Sequence, residues 1–150
     1  MEIIGRPMEI LTVPNFVLRK KSETVTFDDI PYLEQLSKDL IVTMLKHKGA
    51  GLAAPQIGVL KRVIAIKSKK PYVMFNPIIG KKPSPMTITE EGCLSIPGER
   101  IRIPRRKNII VKYQDLFGKT QVKKFSGMDA RVIQHEIDHL NGVLITDYIE

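Results

Sequence analysis

Tryptophan is missing from this chain of 150 residues, and cysteine occurs once, as Cys93. A lone cysteine cannot close an intramolecular disulfide, which excludes a disulfide-stapled secreted scaffold and agrees with a reducing compartment. Aromatic residues make up only 6% of the sequence and do not interleave with the lysines of "KSKK", "GKK" or "VKK". No nucleic-acid module is recognisable on that basis, and a DNA partner is not expected. Long apolar runs are missing too. Lys, Arg or Pro interrupts each one well short of the roughly 20 residues that span a bilayer, so no membrane partner is expected. The opening "MEIIGRPMEI" carries Glu2 and Arg6 and has no continuous apolar region ending in small residues. A secretory leader is therefore not expected, and the cytosol is the expected compartment.

What is present suits an ordinary globular protein. Hydrophobic residues at 43% and charged residues at 27% are enough to build a core and a solvated surface. Residues 1–150 contain no repeat, linker or low-complexity tract and are expected to form one domain. The net charge of +8 gives the surface an attraction for anions such as RNA, although the lysines are scattered along the chain.

Residues 1–27 are mixed, with "PNFVLRKKSETVTF" reading as a short extended segment followed by a polar loop. Asp28-Asp29-Ile30-Pro31 signals a helix start through acidic caps and a proline that the first turn accepts. Leu33, Leu36, Leu40, Ile41, Met44 and Leu45 continue it at helical spacing. The stretch "GAGLAAPQIG", residues 49–58, is too rich in Gly and Pro for a regular element and reads as a shaped loop. Strand candidates follow at "RVIAIK", "YVMFNP", "IRIP" and "NIIVKYQ", with a hairpin turn at Asp115-Leu116-Phe117-Gly118 leading into "KTQVKKF". From Ser126 the helical period returns through Met128, Val132, Ile133, Ile137 and Leu140, and Asn141-Gly142 stops it. The fold class expected is α+β: a mostly antiparallel sheet packed on a metal-binding helix near the C-terminus, with one N-terminal helix.

The late helix carries "QHEIDHL", residues 134–140. His135 and His139 are one turn apart, so both imidazoles can reach a single ion. Glu136 is offset from them and can act as general base on a water at that ion. A water-activating site usually needs a third protein ligand. Cys93, in "EEGCLSIPG", is the natural candidate, because a thiolate suits zinc or ferrous iron and the preceding glycine permits close backbone approach. His47 stands between two lysines at the end of the first helix and reads as a solvated helix-end residue.

The segments "GAGLAAPQ" (49–56), "EGCLS" (91–95) and "QHEIDH" (134–139) occur in that order, and together they resemble the three signature motifs of peptide deformylase. The resemblance covers the whole chain. It implies Cys93, His135 and His139 as metal ligands and Glu136 as general base and acid. It further implies Gln56 and the Leu94 backbone N–H as donors to the developing oxyanion, and Gly51 as a backbone contact for substrate. The implied activity is removal of the formyl group from the N-terminal formyl-methionine of newly made chains. Ferrous iron is the favoured metal in this family, with zinc, nickel or cobalt as substitutes.

Further expectations are local to this chain. Asp138 should pair with Arg105 or another basic residue and so steady the helix. Met128, Val132 and His135, with Ala50 opposite, should line a slot for methionine. The sequence stops at Glu150, where many relatives continue into a long C-terminal helix; compact relatives exist, some of them encoded by phages, so a bacterial cytosol or that of a phage-infected host is the expected setting. That tail is associated with ribosome docking, so a transient ribosome contact would here fall to the +8 charge. A monomer is expected. Two other readings are a zincin-like peptidase, whose third ligand lies downstream of the helix, and an inert basic RNA- or ribosome-binding module with a closed structural metal site.

Overall fold

Acidic residues ahead of a proline start the first helix where the sequence places it. In the computed structural model, which describes residues 4–149, α1 spans Ile30–Lys46, and the Asp29 carboxylate accepts a hydrogen bond from the Tyr32 N–H as its cap. His47 is the C-cap residue, exposed, with Nδ1 2.9 Å from the Thr43 carbonyl, as expected of a helix-end histidine. No helix among the described residues is long and apolar enough to cross a membrane.

Seven strands follow among the described residues: β1 (Gly51–Ala53), β2 (Val63–Ile66), β3 (Tyr72–Ile79), β4 (Met86–Cys93), β5 (Ile96–Arg106), β6 (Asn108–Gln114) and β7 (Thr120–Ser126). They pair antiparallel as a five-stranded sheet of order β1-β2-β3-β6-β7 and a separate β4-β5 hairpin. Helix α2, Gly127–Leu140, follows β7, and a 3-10 turn at Ile145–Tyr148 comes after it.

Strand alternation sends the two faces of the sheet to different helices. Ile64, Ile66, Met74, Ile109, Val111 and Tyr113 pack with Ile133, Ile137 and Leu140 of α2. Val63, Ala65 and Phe75 pack instead with Leu36, Leu40 and Met44 of α1. With both faces covered, β2 is buried at all four of its residues, which is why its sequence is an unbroken apolar run rather than an alternating one. Helix α1 lies against β1, β2 and β3. The β6–β7 part of that same face presents Lys112, Val122 and Lys124, all exposed. A smaller apolar cluster (Leu18, Ile96, Ile103, Leu144 and Ile145) anchors the β4-β5 hairpin to the two ends of the chain.

The structure corrects the sequence reading in three places. Phe16–Arg19 is a 3-10 turn capped by the Asn15 side chain rather than an extended segment. Within the loop read at 49–58, Gly51–Ala53 form an edge strand and Ala54–Ile57 a 3-10 turn. The hairpin is also longer than "IRIP" suggested, because β4 was not read as a strand and β5 starts at Ile96. Helix α2 stops as expected, with Asn141 as C-cap and Gly142 at φ 73°, where a side chain would also run into the Arg19 carbonyl.

Candidate metal centre and active site

Helix α2 buries Ile133, Ile137 and Leu140 in the core and turns His135 and Glu136 toward the cleft between the sheet and the β4-β5 hairpin, with His139 buried behind them against Cys93. Cys93, the last residue of β4, comes from the other side. One ligand atom from each of Cys93, His135 and His139 lies within 4.8 Å of the others, and the Cys93 Sγ is 3.4 Å from His139 Nε2. These residues fit a divalent cation, with one soft thiolate and two imidazoles converging on one point. Cys93, the third candidate ligand, lies upstream of the helix, whereas a zincin-like peptidase places its third ligand downstream. Among the described residues three groups converge, fewer than the four of a closed structural site.

The nitrogen of His135 that faces away from this point is engaged: Nδ1 lies 2.9 Å from Glu91 Oε1, which leaves Nε2 for a metal. Glu91 is held in turn by two arginines. Arg105 donates to both of its oxygens at 2.9 Å, and Arg131 donates to Oε2 at 2.6 Å. Arg105 continues to Asp138 at 2.7 Å, which also accepts from the Tyr148 hydroxyl at 2.7 Å. The expected Asp138–Arg105 pair is therefore present, as one link in a buried chain that ends on His135. Glu91 and Arg131 were not singled out from the sequence. Their signal was there: Glu91 directly precedes Gly92-Cys93, and Arg131 is one turn before His135 on the same helix face.

Charge is divided sharply within the site. Burial pushes the Glu136 carboxyl up to about 7, the range in which a carboxylate can both take and return a proton. Burial likewise holds His139 well below its ordinary value, with the His135 and Arg105 charges adding to the effect, so it stays neutral. Burial would lower His135 as well, but the Glu136 charge and hydrogen bonds to Cys93 and Glu91 raise it instead to about 10. Two buried atoms lack a protein partner here, Glu136 Oε1 and His139 Nδ1.

The loop 49–57 supplies the opposite wall. Gln56 is 2% exposed; its Oε1 accepts from the Ala53 N–H at 2.9 Å, so its Nε2 must face the hairpin, 3.1 Å from Ser95 Oγ and 3.8 Å from Cys93 Sγ. Gly51 is a close-approach glycine, since a Cβ there would lie 2.8 Å from Glu136 Oε2 and 2.7 Å from Val132 Cγ1. Gly51→Ala should therefore displace the Glu136 carboxylate, lowering kcat by about 10²-fold. Metal content should stay unchanged, and retention of kcat would show that Glu136 tolerates the shift. The resulting cleft, about 620 Å³, is lined by Gly51, Gln56, Leu94, Cys93, His135 and Glu136. Ala50, Met128 and Val132 line it too, beside His135. Every residue singled out for the site thus borders one cavity, apart from His139, which is buried behind it with its Nε2 on Cys93.

A Cys-His-His cluster with a raised glutamate beside it is the donor set of a metal-dependent hydrolase with an open coordination position. Comparison with known proteins narrows the class. The profile described as polypeptide deformylase matches residues 7–150. A peptide deformylase of Picosynechococcus is 42% identical over 150 residues, covering 96% of this chain and 80% of that protein. The crystal structure of peptide deformylase from Thermotoga maritima superposes with a TM-score of 0.92 at 40% identity, covering 97% of this chain and 99% of that one. The Met-Ala-Ser-bound class I type b peptide deformylase of Acinetobacter baumannii gives 0.90 at 34% identity, with 97% and 100% covered. The chain belongs to the polypeptide deformylase family. It is a metal-dependent enzyme that removes the N-formyl group from newly made peptides.

Proposed function

We propose that residues 1–150 form one catalytic domain in which Cys93, His135 and His139 hold ferrous iron, with zinc, nickel or cobalt able to replace it. The substrate is formyl-methionine at the start of a nascent chain. The observation that carries this assignment is the convergence of the three ligand atoms within 4.8 Å, next to a buried glutamate with a free oxygen.

When bound, the metal polarises the formyl carbonyl and lowers the pKa of water beside it. Glu136, whose buried carboxylate is left without a hydrogen-bonding partner at Oε1, takes the proton of the attacking water and returns it to the amine nitrogen as the C–N bond breaks. Gln56 Nε2 and the Leu94 N–H donate to the formyl oxygen as it gains negative charge. Gly51, on the exposed edge of β1, offers its backbone to the peptide. Met128, Val132, His135 and Ala50 line the cleft and would contact the methionine side chain. The Met-Ala-Ser tripeptide bound to the Acinetobacter relative supports a peptide of this kind in the cleft. The direct test is turnover of formyl-Met-Ala-Ser by protein loaded anaerobically with ferrous iron, compared with zinc-loaded protein. Higher activity with iron is expected, and equal or greater activity with zinc would overturn the choice of metal.

The enzyme acts as a monomer in the cytoplasm and meets nascent chains through a transient ribosome contact. Support for that contact comes from the uncovered end of the sheet. Lys81, Lys82, Lys107, Lys112 and Lys124 are all exposed there, and residues 79–89, 100–114 and 116–128 contain no Asp or Glu. The β3–β4 connection is drawn to the end of β5 by Arg106, which donates to the carbonyls of Gly80 and Lys82. Co-sedimentation with ribosomes should fall steeply as salt rises from about 50 to 200 mM, and exchanging Lys82, Lys112 and Lys124 for glutamate should remove it. Absence of co-sedimentation at low salt would end the idea.

A further inference from the structure

A serine at a hairpin turn is normally open to water, yet Ser95 is completely buried. It lies in the two-residue connection Leu94-Ser95 between β4 and β5, where Cys93 pairs with Ile96. Each of its polar groups reaches a different segment. The Ser95 carbonyl accepts from the Val13 N–H at 2.9 Å, and Ser95 Oγ accepts from Gln56 Nε2 at 3.1 Å. The same N-terminal strap that holds Ser95 holds Gln56 as well, through the Leu11 N–H on the Gln56 carbonyl at 2.7 Å. The backbones of the 3-10 turn and the hairpin are thereby fixed to a common strap, and the hydroxyl is the side-chain link between them.

We propose that Ser95 is a positioning residue for the Gln56 carboxamide: it takes one of the two Nε2 hydrogens and so aims the other at the formyl oxygen. This rests on the reading of Gln56 as an oxyanion donor. A primary amide can rotate about its last side-chain bond. The Ala53 N–H fixes one end of the Gln56 amide at Oε1, and Ser95 fixes the other at Nε2. With both ends held, the second N–H of Nε2 has one remaining direction, toward Cys93 Sγ at 3.8 Å and the space beside the ligand cluster. Such preorganisation matters because a donor contributes to catalysis only if it already points at the place where charge develops. Leu94, the other donor, immediately precedes Ser95, so a single turn fixes both.

The test is a double-mutant cycle on iron-loaded protein with Ser95→Ala, Gln56→Ala and the pair. Misdirecting a donor costs less than the roughly 10²–10³-fold of deleting one, so Ser95→Ala should lower kcat by about 10-fold with KM, metal content and melting temperature unchanged. In the Gln56→Ala background the Ser95 change should cost nothing further, because the group it aims is gone. In zinc-loaded protein, the immobilised Gln56 side-chain amide resonances, identified by their loss in Gln56→Ala, should shift in Ser95→Ala. Ser95→Cys, close in volume but a weak acceptor, should reproduce the kcat loss if alanine perturbs the fold. Additive losses, or a Ser95→Ala enzyme with unchanged kcat beside an impaired Gln56→Ala enzyme, would overturn the role of Ser95. An unimpaired Gln56→Ala enzyme would overturn the oxyanion reading and the inference together.

Discussion

Glu136→Ala should retain its metal and lose turnover. The three ligand atoms belong to other residues, and Glu136 Oε1 touches no protein donor, so the metal content of the variant should match that of the parent. What disappears is the group that accepts and returns the proton, worth about 10²–10⁴-fold in rate. Stability should hold or rise, because a buried carboxylate with an unpartnered oxygen weakens a fold. Glu136→Gln sharpens the result: it keeps the shape and removes the basicity, and it should be nearly as inactive as the alanine variant. Formyl-Met-Ala-Ser hydrolysis and metal content measured on the same samples decide the matter. A Glu136→Gln enzyme within 10-fold of the parent would assign the proton transfer to another group.

The largest loss of stability is expected at Glu91. Its carboxylate pairs with Arg105 and Arg131, two guanidinium groups whose side chains are at most 9% exposed, and Asp138 supplies the second negative charge at Arg105. Removing one member of such a buried cluster leaves uncompensated charge and costs about 3–5 kcal/mol. For Glu91→Gln the melting temperature should fall by roughly 10 °C or more. His135 loses its Nδ1 partner in the same step, and metal affinity should drop by about 10–100-fold. The pH dependence identifies the cause. Burial would raise the Glu91 pKa, but hydrogen bonds from Arg105 and His135 hold it down at about 2, below its ordinary 4.5. A carboxylate lowered on folding stabilises the protein fully above pH 4.5 and progressively less as the pH falls toward 2. Acid unfolding of the parent should therefore steepen across that window, and the Glu91→Gln protein should lack this component. Parallel acid-unfolding curves for the two proteins would exclude Glu91 as a source of acid sensitivity.

The helices and most of the five-stranded sheet were legible because their apolar residues keep a clear period. Asp29 and Pro31 mark one end of α1, and Asn141-Gly142 one end of α2. β4 was hidden because "MTITEEGC" buries only Glu91 along most of its length, so the alternation that reveals a half-buried strand never develops. β1 was hidden by the opposite effect: its three residues lie in a glycine-rich stretch whose composition signals a loop, while its antiparallel partner β2 makes it a strand. The Cys93, His135 and His139 cluster was readable because ligand chemistry restricts residue type and spacing. Glu91, Arg131 and Ser95 were not, since each matters through partners at least 14 residues away in sequence, and a charged or hydroxyl side chain read alone defaults to the surface.

Helix α2 presents two of the three proposed ligands and the glutamate on one side and three core residues on the other. Chemistry and cohesion thus share a single rod of fourteen residues. A helix pinned on both sides has no partly open form available to it, so its amides should exchange with solvent only when the whole molecule opens. The enzyme can gain flexibility for its substrate only from the loop and hairpin that face this helix. Selection for speed would act on those two segments, and selection for heat tolerance on the rod.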